Sequence, residues 1–589
     1  MFPGNITTAF SRLPACRNKI MQKPIKVRLF AGLIILSLAM GACEKTATNP
    51  PAVGASRPWV AYEAAAGKTN ATVHGPSREY LTPESEAIGR KFVKLDAAGQ
   101  YVEIIAQKAA NTIVVRYCIP DAPGGGGTDA TLGLYLNGKL ETKLPLTSRY
   151  SWIYGDFPWS NNPSKGRGHH FFDECHAFIK NVAPGDVIRL QKDADDKAGY
   201  YIIDLVELEQ VAPPLQRPAD SLSIVDFGAV PNDKKDASDA LIHCMEAART
   251  QKKSVWIPEG EFRLDGARIK VGDVRVQGAG LWYSILAGKS PMFEGSGTPV
   301  EFSNLAIFGD IDRRIDDNPE NAFNGNFGKG SLFKNLWIEH FKCGFWTVQG
   351  TESMRVEGCR IRNIMADGLN FCDGTSYSVV EQCHLRNTGD DSLATWSPSG
   401  SWSSRKPCVQ NRFVNNTIEL PWHANAIGIY GGTDHLVARN KMTGMVYSGA
   451  GILVSSGFEA IPFKGTIRLE DNVIEDAGGN CYIGETVGGL WLQAKDSDID
   501  ALISVSGIHI SGSPNSAITL HGPKKALRIE ISDVEINGTG EYGIDVKSKS
   551  GGALQVTGLR ISNSKLATLH DGSGGQCAIK IEETNAGHN

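Results

Sequence analysis

Apolar and polar residues alternate in short bursts along most of this chain, with glycine, asparagine and aspartate between the bursts. YVEIIA at 101–106, NTIVVRYCI at 111–119, TLGLYLNGK at 131–139, DVIRL at 186–190 and YYIIDLVELE at 200–209 carry the period of two that marks strands. Asn137–Gly138 is a hairpin signal. Closely spaced strands joined by turns predict an antiparallel β-sandwich over residues 57–210. VAPPLQRPAD at 211–220, with three prolines, is a linker. Residues 221–262 then read as strand, loop, amphipathic helix and strand. Asp236 or Ser238 caps that helix, and Ala240, Leu241, Cys244, Ala247 and Ala248 share its buried face.

Beyond the helix the alternation returns as a repeat. VEGCRIRNIMADGLNF at 356–371 and VEQCHLRNTGDDSLAT at 380–395 align without a gap at an offset of 24 residues. Gly344 and Phe345 continue the phase upstream, and NAIGIY at 425–430 and AGILV at 450–454 continue it downstream. A unit this short cannot bury its apolar side alone and must stack on its neighbours. The pattern predicts a right-handed parallel β-helix over residues 221–589. Equivalent residues of adjacent coils are then ~4.8 Å apart. Asn363 on Asn387 reads as a corner ladder, and Cys359 on Cys383 as an internal stack rather than a disulfide.

The same register stacks Cys343, Asp367, Asp391, Asn425 and Ala450, and Asp390 adjoins the second aspartate. Packing gives no reason to collect three carboxylates, because like charges that close repel. An acid/base site is the functional reading; a solvated acidic corner or a cation site is the alternative. Asp391 shares its parity with inward-facing Leu393, and burying a carboxylate pair is costly. The strand is therefore expected to start after Asp391, leaving both aspartates at a corner facing solvent with Asp390 beside them. Asn370, Trp396 and Tyr430 fall on the same outward face; Asn425 and His423 border it. These five are the candidate substrate-binding residues. GDIDRRIDD, with Asp310, Asp312, Asp316 and Asp317, reads as an acidic solvated loop. SRYSWIYGDFPWSNN at 148–162 is aromatic, and serves either as a sugar platform or as packing against the next domain.

The 589 residues allow two or three domains, and 65 glycines suit a turn-dense β protein. A net charge of −4 gives no attraction to nucleic acid. Twelve cysteines without a metal-type pair of motifs argue against zinc. No metal is expected in the candidate site, and Cys118 and Cys175 are a candidate disulfide. From Met21, a basic stretch precedes an apolar run at 29–40 that is too short to span a bilayer, then Gly41, Ala42 and Cys43. This resembles a bacterial lipoprotein signal with lipidation at Cys43. It implies export to the cell envelope and membrane contact only through a lipid anchor. Residues 1–43 are thus the signal segment and 44–56 a polar tether.

Other resemblances attach to these residues. AYEA with Glu63 and the closing YIIDLVELE resemble galactose-binding-like carbohydrate modules, which implies a structural calcium near Glu63. VDFGA, the helix and WIPEGEF resemble the N-terminal cap of pectin-lyase-like β-helices. MADGLNF, TGDDSLATW and ANAIGIYGG, with NLAIFGD and LWIEH upstream, resemble glycoside hydrolase family 87, the bacterial α-1,3-glucanases and mycodextranases, over residues 57–589. That resemblance implies inverting hydrolysis of α-glucans, with Asp390 as acid and Asp367 and Asp391 holding the water. It implies no required cofactor, a polysaccharide partner and a monomer. A further family aspartate in the next coil has no counterpart; the position near Asn425 is neutral. Competing functions are action on nigeran, a polygalacturonase or lyase, and a dead glycan-binding lipoprotein. A polygalacturonase would place Gly-His-Gly where NAIGIYGG stands, and the chain's RIK, at 268–270, lies near the cap.

Overall fold

The computed structural model describes residues 52–480 and 484–582. The signal segment, Cys43 and the tether as far as residue 51 lie outside the described residues. The protein is nearly all β. Between residues 59 and 209 the alternating segments form two antiparallel sheets. One contains Asp173–Val182, Ala110–Cys118, Tyr201–Glu209, Phe92–Leu95, Thr72–His74 and Trp59–Glu63. The other contains Lys68–Thr69, Tyr101–Ile105, Val187–Gln191, Asp129–Leu136 and Lys139–Thr147. Val102, Ile104, Ile113, Val115, Leu132, Leu134, Leu190 and Ile203 bury one core between them. Leu136 pairs with Lys139 across Asn137 and Gly138, whose φ values of 49° and 80° give the two-residue turn that this dipeptide favours.

The parallel strands start at Ser221–Ser223 and stack in register to Cys577–Glu582. Each central coil supplies three strands. Arg355–Glu357, Arg360–Ile364 and Leu369–Cys372 make one coil; Val379–Glu381, His384–Thr388 and Leu393–Trp396 make the next. Inside, like residues lie on like: Phe293, Phe323 and Phe345 stack at 5.4 and 4.8 Å. Corners repeat as well. Asn363 and Asn387 both have positive φ, and the Asn387 side-chain amide donates a 2.9 Å hydrogen bond to Asn363 Oδ1. At another corner the Cys359 amide donates to Cys383 Sγ, and Asn416, Asn440 and Asn472 continue the column with amide bonds of 2.9–3.0 Å. Each side chain there satisfies a backbone group that the turn leaves unpaired. The helix Ser238–Gln251 packs Leu241, Cys244, Met245 and Ala248 into the same core. Asp236 accepts from the Ser238 amide at 2.9 Å.

Three expectations change. Residues 54–56, assigned to a tether, are hydrogen-bonded along the coils: Gly54 to the Arg439 carbonyl, Ala55 to Thr417 and Ser56 to Gln382. Cys118 and Cys175 are both free thiols. Cys175 lies opposite Val115, three residues from Cys118, so the two side chains leave their strands on opposite faces. Glu63 belongs to no cluster of three ligating side chains among the described residues. The acidic cluster of this region is Asp193, Asp195 and Asp196, and Lys143 Nζ sits 2.8–2.9 Å from all three. An ammonium already supplies the positive charge at this cluster, so it is not where the expected ion would sit.

The antiparallel and parallel strands belong to one compact unit. Glu174 and Glu207 reach Arg362 and Arg386 at 2.6–3.0 Å, and Glu209 reaches Arg360 at 2.8 Å, in a network almost free of solvent. These arginines lie on Arg360–Ile364 and His384–Thr388, the strands that run directly into Asp367 and into Asp390–Asp391. The contact between the two parts is thus attached to the aspartate-bearing coils.

Candidate active site

Strand register builds the site. Phe345, Leu369, Leu393, Ile427 and Ile452 are consecutive partners in one parallel sheet. Two residues before each stand Cys343, Asp367, Asp391, Asn425 and Ala450, the column that the repeat predicts. The amides of Gly344, Gly368 and Ser392 donate to the carbonyls of Asp367, Asp391 and Asn425 at 3.0–3.2 Å. As expected, the strand Leu393–Trp396 starts after Asp391.

The aspartates do not face open solvent at a corner. They form the floor of a cavity of about 700 Å³, with Asp367 7 % and Asp391 2 % exposed; only Asp390, its side chain 29 % exposed, reaches outward. One carboxylate oxygen from each lies within 4.8 Å of the others. Fixed donors make this burial tolerable. Asp391 Oδ1 accepts from the Asn425 amide at 3.0 Å and from its side chain at 2.8 Å, and Oδ2 accepts from Tyr430 Oη at 2.6 Å. Gly428 makes room for this arrangement: a Cβ there would meet Asp391 Oδ2 at 2.0 Å and the Tyr430 ring at 2.7 Å.

Burial, then the charge of Asp390, pushes the Asp391 carboxyl up to about 7, against the lowering pull of Tyr430 and Asn425. Burial, Asp390 and Asp391 drive Asp367 well above the carboxylate range, with Arg314 and Asn370 opposing. Asp390 is held from the other side, with Arg314 Nη1 2.7 Å from its Oδ2. Arg314 also reaches Asp316 at 2.6 Å. Burial works against its charge, but Asp390, Asp316 and Asp367 keep its affinity for the proton raised.

Of the expected substrate-binding residues, Asn370, Trp396 and Tyr430 line the cavity. Asn425 and His423 do not. Asn425 spends its amide on Asp391, and His423 sits with its ring 4.9 Å from that of Trp159. Asp316 and Asp317 of the acidic loop line the cavity, whereas Asp310 is tied to Tyr150 and Arg149. Arg314, Lys342, Trp346, Trp402 and Phe458 line the cavity without having been singled out. Trp346 was findable, since it is the register partner of Asn370 one coil earlier. Arg314 was not, because its loop belongs to no repeat. Trp346, Trp396 and Trp402 form a chain of rings at 6.3 and 5.2 Å, and Phe458 edges Tyr430 at 5.4 Å. Arg268–Lys270 contributes nothing to the cavity. The arrangement offers three clustered carboxyls, a guanidinium and aromatic walls, which suits proton transfer.

Comparison with known proteins agrees with this chemistry. Residues 57–211 match the family model of α-1,3-glucanase catalytic domain D1, and residues 233–588 that of domain D2. Similar crystal structures include the Agl-KA catalytic domain, at 29 % identity and TM-score 0.83. The catalytic unit of a thermostable family 87 α-1,3-glucanase from Streptomyces thermodiastaticus strain HF3-3 is 30 % identical, with TM-score 0.79. Both matches cover 90 % of this chain and 98 % of the other. A family 87 α-1,3-glucanase catalytic domain in complex with nigerose, 25 % identical with TM-score 0.78, has the same coverage. No curated protein matches the chain. With its aspartate cavity and its two matched domains, the chain belongs to the α-1,3-glucanases of glycoside hydrolase family 87 and is a glycoside hydrolase.

Proposed function

We propose that the protein hydrolyses α-1,3-glucosidic bonds of α-glucans with inversion, using Asp367, Asp390 and Asp391. The observation that carries this is the clustering of three carboxylates within 4.8 Å on the floor of an aromatic-walled cavity. Asp390, the outward one, protonates the leaving oxygen. Asp367 and Asp391 together orient one water and take its proton as its oxygen attacks the anomeric carbon. The water supplies the new hydroxyl, the carbon–oxygen bond to the leaving sugar breaks, and the proton lost to the pair balances the one given up by Asp390. Tyr430 and Asn425 hold Asp391, and Arg314 orients Asp390. Asn370, Trp346, Trp396 and Trp402 contact the sugars.

The spacing is tighter than the ~6.5–9.5 Å of a simple inverting pair. A water held by two carboxylates at once, rather than between acid and base, reconciles it with inversion. The first-formed reducing end is then the β-anomer, as read by proton NMR immediately after cleavage. An α-anomer overturns the assignment. Incubation with α-1,3-glucan, nigeran, dextran and polygalacturonate tests the substrate: reducing ends are expected from the first or second only, and Asp390→Asn abolishes them. Turnover of polygalacturonate alone favours a uronate-cleaving enzyme instead.

The antiparallel part is a galactose-binding-like sandwich at 57–210, the linker is 211–220, and 221–589 is a right-handed β-helix whose first helix caps the end coil. The chain is exported, lipidated at Cys43 and monomeric. Labelled palmitate incorporation that persists in Cys43→Ser refutes the anchor.

A further inference from the structure

The glucanase reading leaves several exposed aromatics unexplained, Phe157 among them, and the following rests on that reading. Segment 148–162 carries Tyr150, Trp152, Tyr154, Phe157 and Trp159. Tyr150 stacks on His340 at 3.7 Å and donates to Asp310. Trp152 Nε1 donates to the Ile119 carbonyl, and Tyr154 Oη to Asp121. Trp159 sets its edge against Trp422 and His423 at 5.2 and 4.9 Å. These four rings fasten the segment to its surroundings. Phe157 does not: it is 56 % exposed.

Its position is nevertheless held. Its ring and that of Trp159 stand at right angles with centroids 5.1 Å apart, and the Arg314 guanidinium lies 5.4 Å from its centroid. The same guanidinium touches Asp390 at 2.7 Å and lines the catalytic cavity. One side chain thus links Asp390 to an exposed ring that comes from the antiparallel part. Among the aromatic walls, Tyr430 holds Asp391, whereas Phe157 lies against Arg314, the partner of Asp390.

We propose that Phe157 is a stacking platform for a glucose ring of the α-glucan on the leaving-group side of Asp390. A sugar ring presents apolar C–H groups on its faces and hydroxyls around its rim. An aromatic face meets the first, and Arg314 and Asp316, on the same edge, meet the second. The antiparallel part thereby supplies a subsite as well as support.

The test compares kcat/KM on α-1,3-linked gluco-oligosaccharides of six and three units for wild type, Phe157→Leu and Phe157→Trp. Leucine keeps apolar packing on Trp159 and removes the π-face. The six-to-three ratio is expected to fall about threefold to tenfold in Phe157→Leu and to recover in Phe157→Trp. A ratio equal to that of wild type in Phe157→Leu overturns the platform, as does a loss on both oligomers in equal proportion. A wild-type protein that cleaves neither oligomer overturns the glucanase reading itself, so the two failures are distinct.

Discussion

Tyr430→Phe isolates the electrostatics of the cavity floor. The hydroxyl donates to Asp391 Oδ2 at 2.6 Å, and the rest of the ring packs against Phe458. Phenylalanine keeps the packing and deletes the donor. A hydrogen bond to a charged acceptor is worth ~1.5–3 kcal/mol, and one pKa unit corresponds to about 1.36 kcal/mol. Losing it disfavours the ionised form of Asp391 by roughly one to two units. With the wild-type carboxyl at about 7, ionisation of the cluster moves alkaline. The three carboxyls titrate together, so the shift appears in whichever limb of the profile reports Asp391, and its sign is upward in either. The assay is the pH dependence of kcat/KM for reducing-end release by wild type and variant, with matched thermal melts as a check on folding. An unmoved profile with a uniformly lower rate refutes the reasoning, because it reduces the hydroxyl to a packing contact. A move toward acid refutes it more directly.

Gly428→Ala drives a methyl group into Asp391 and Tyr430; displacing the carboxylate by about 1 Å is expected to lower kcat ~100-fold, measured on the same oligosaccharides. Asp391→Asn is expected to stabilise the protein at alkaline pH while abolishing activity. The folded-state carboxyl sits at about 7, above the unfolded value, so the folded chain binds more protons between those limits and loses stability as pH rises through them. The amide removes that slope, raising Tm by a few degrees at about pH 8 and by little at about pH 4, as melts at both pH values show. Glu207→Gln leaves Arg362 and Arg386 short of a buried carboxylate and is expected to cost ~3–5 kcal/mol, read from denaturant unfolding.

What was legible in the sequence follows from how the fold stores information. A parallel coil places residues of equal phase side by side, so an offset of 24 in the text becomes a neighbour in space. The column Cys343, Asp367, Asp391, Asn425 and Ala450 was readable for that reason, and Asn363 with Asn387 likewise. The depth of that column was not readable. Parity alone set Asp391 against Leu393 and suggested that the aspartates must turn outward to avoid burial. The chain instead buries them and adds donors from two later positions, Asn425 and Tyr430. Their roles appear only when the longer coil from 397 to 424, whose strands Arg412–Val414 and Thr417–Glu419 rejoin the register after an added loop, is folded. Arg314 and Phe157 lie at the far limit. One is on an irregular loop between coils and the other on a loop of the antiparallel sheets, and neither shares a period with the aspartates. The carboxylate floor is thus written in the repeat, while Arg314, which pairs with Asp390, comes from a segment outside it. Substitutions that tune the acid or the fit of the leaving sugar are therefore expected in loops 309–320 and 148–162, whereas substitutions within the column abolish turnover outright. A scan of both loops that changes neither product pattern nor pH profile, set beside inactive column variants, would sink that division of labour.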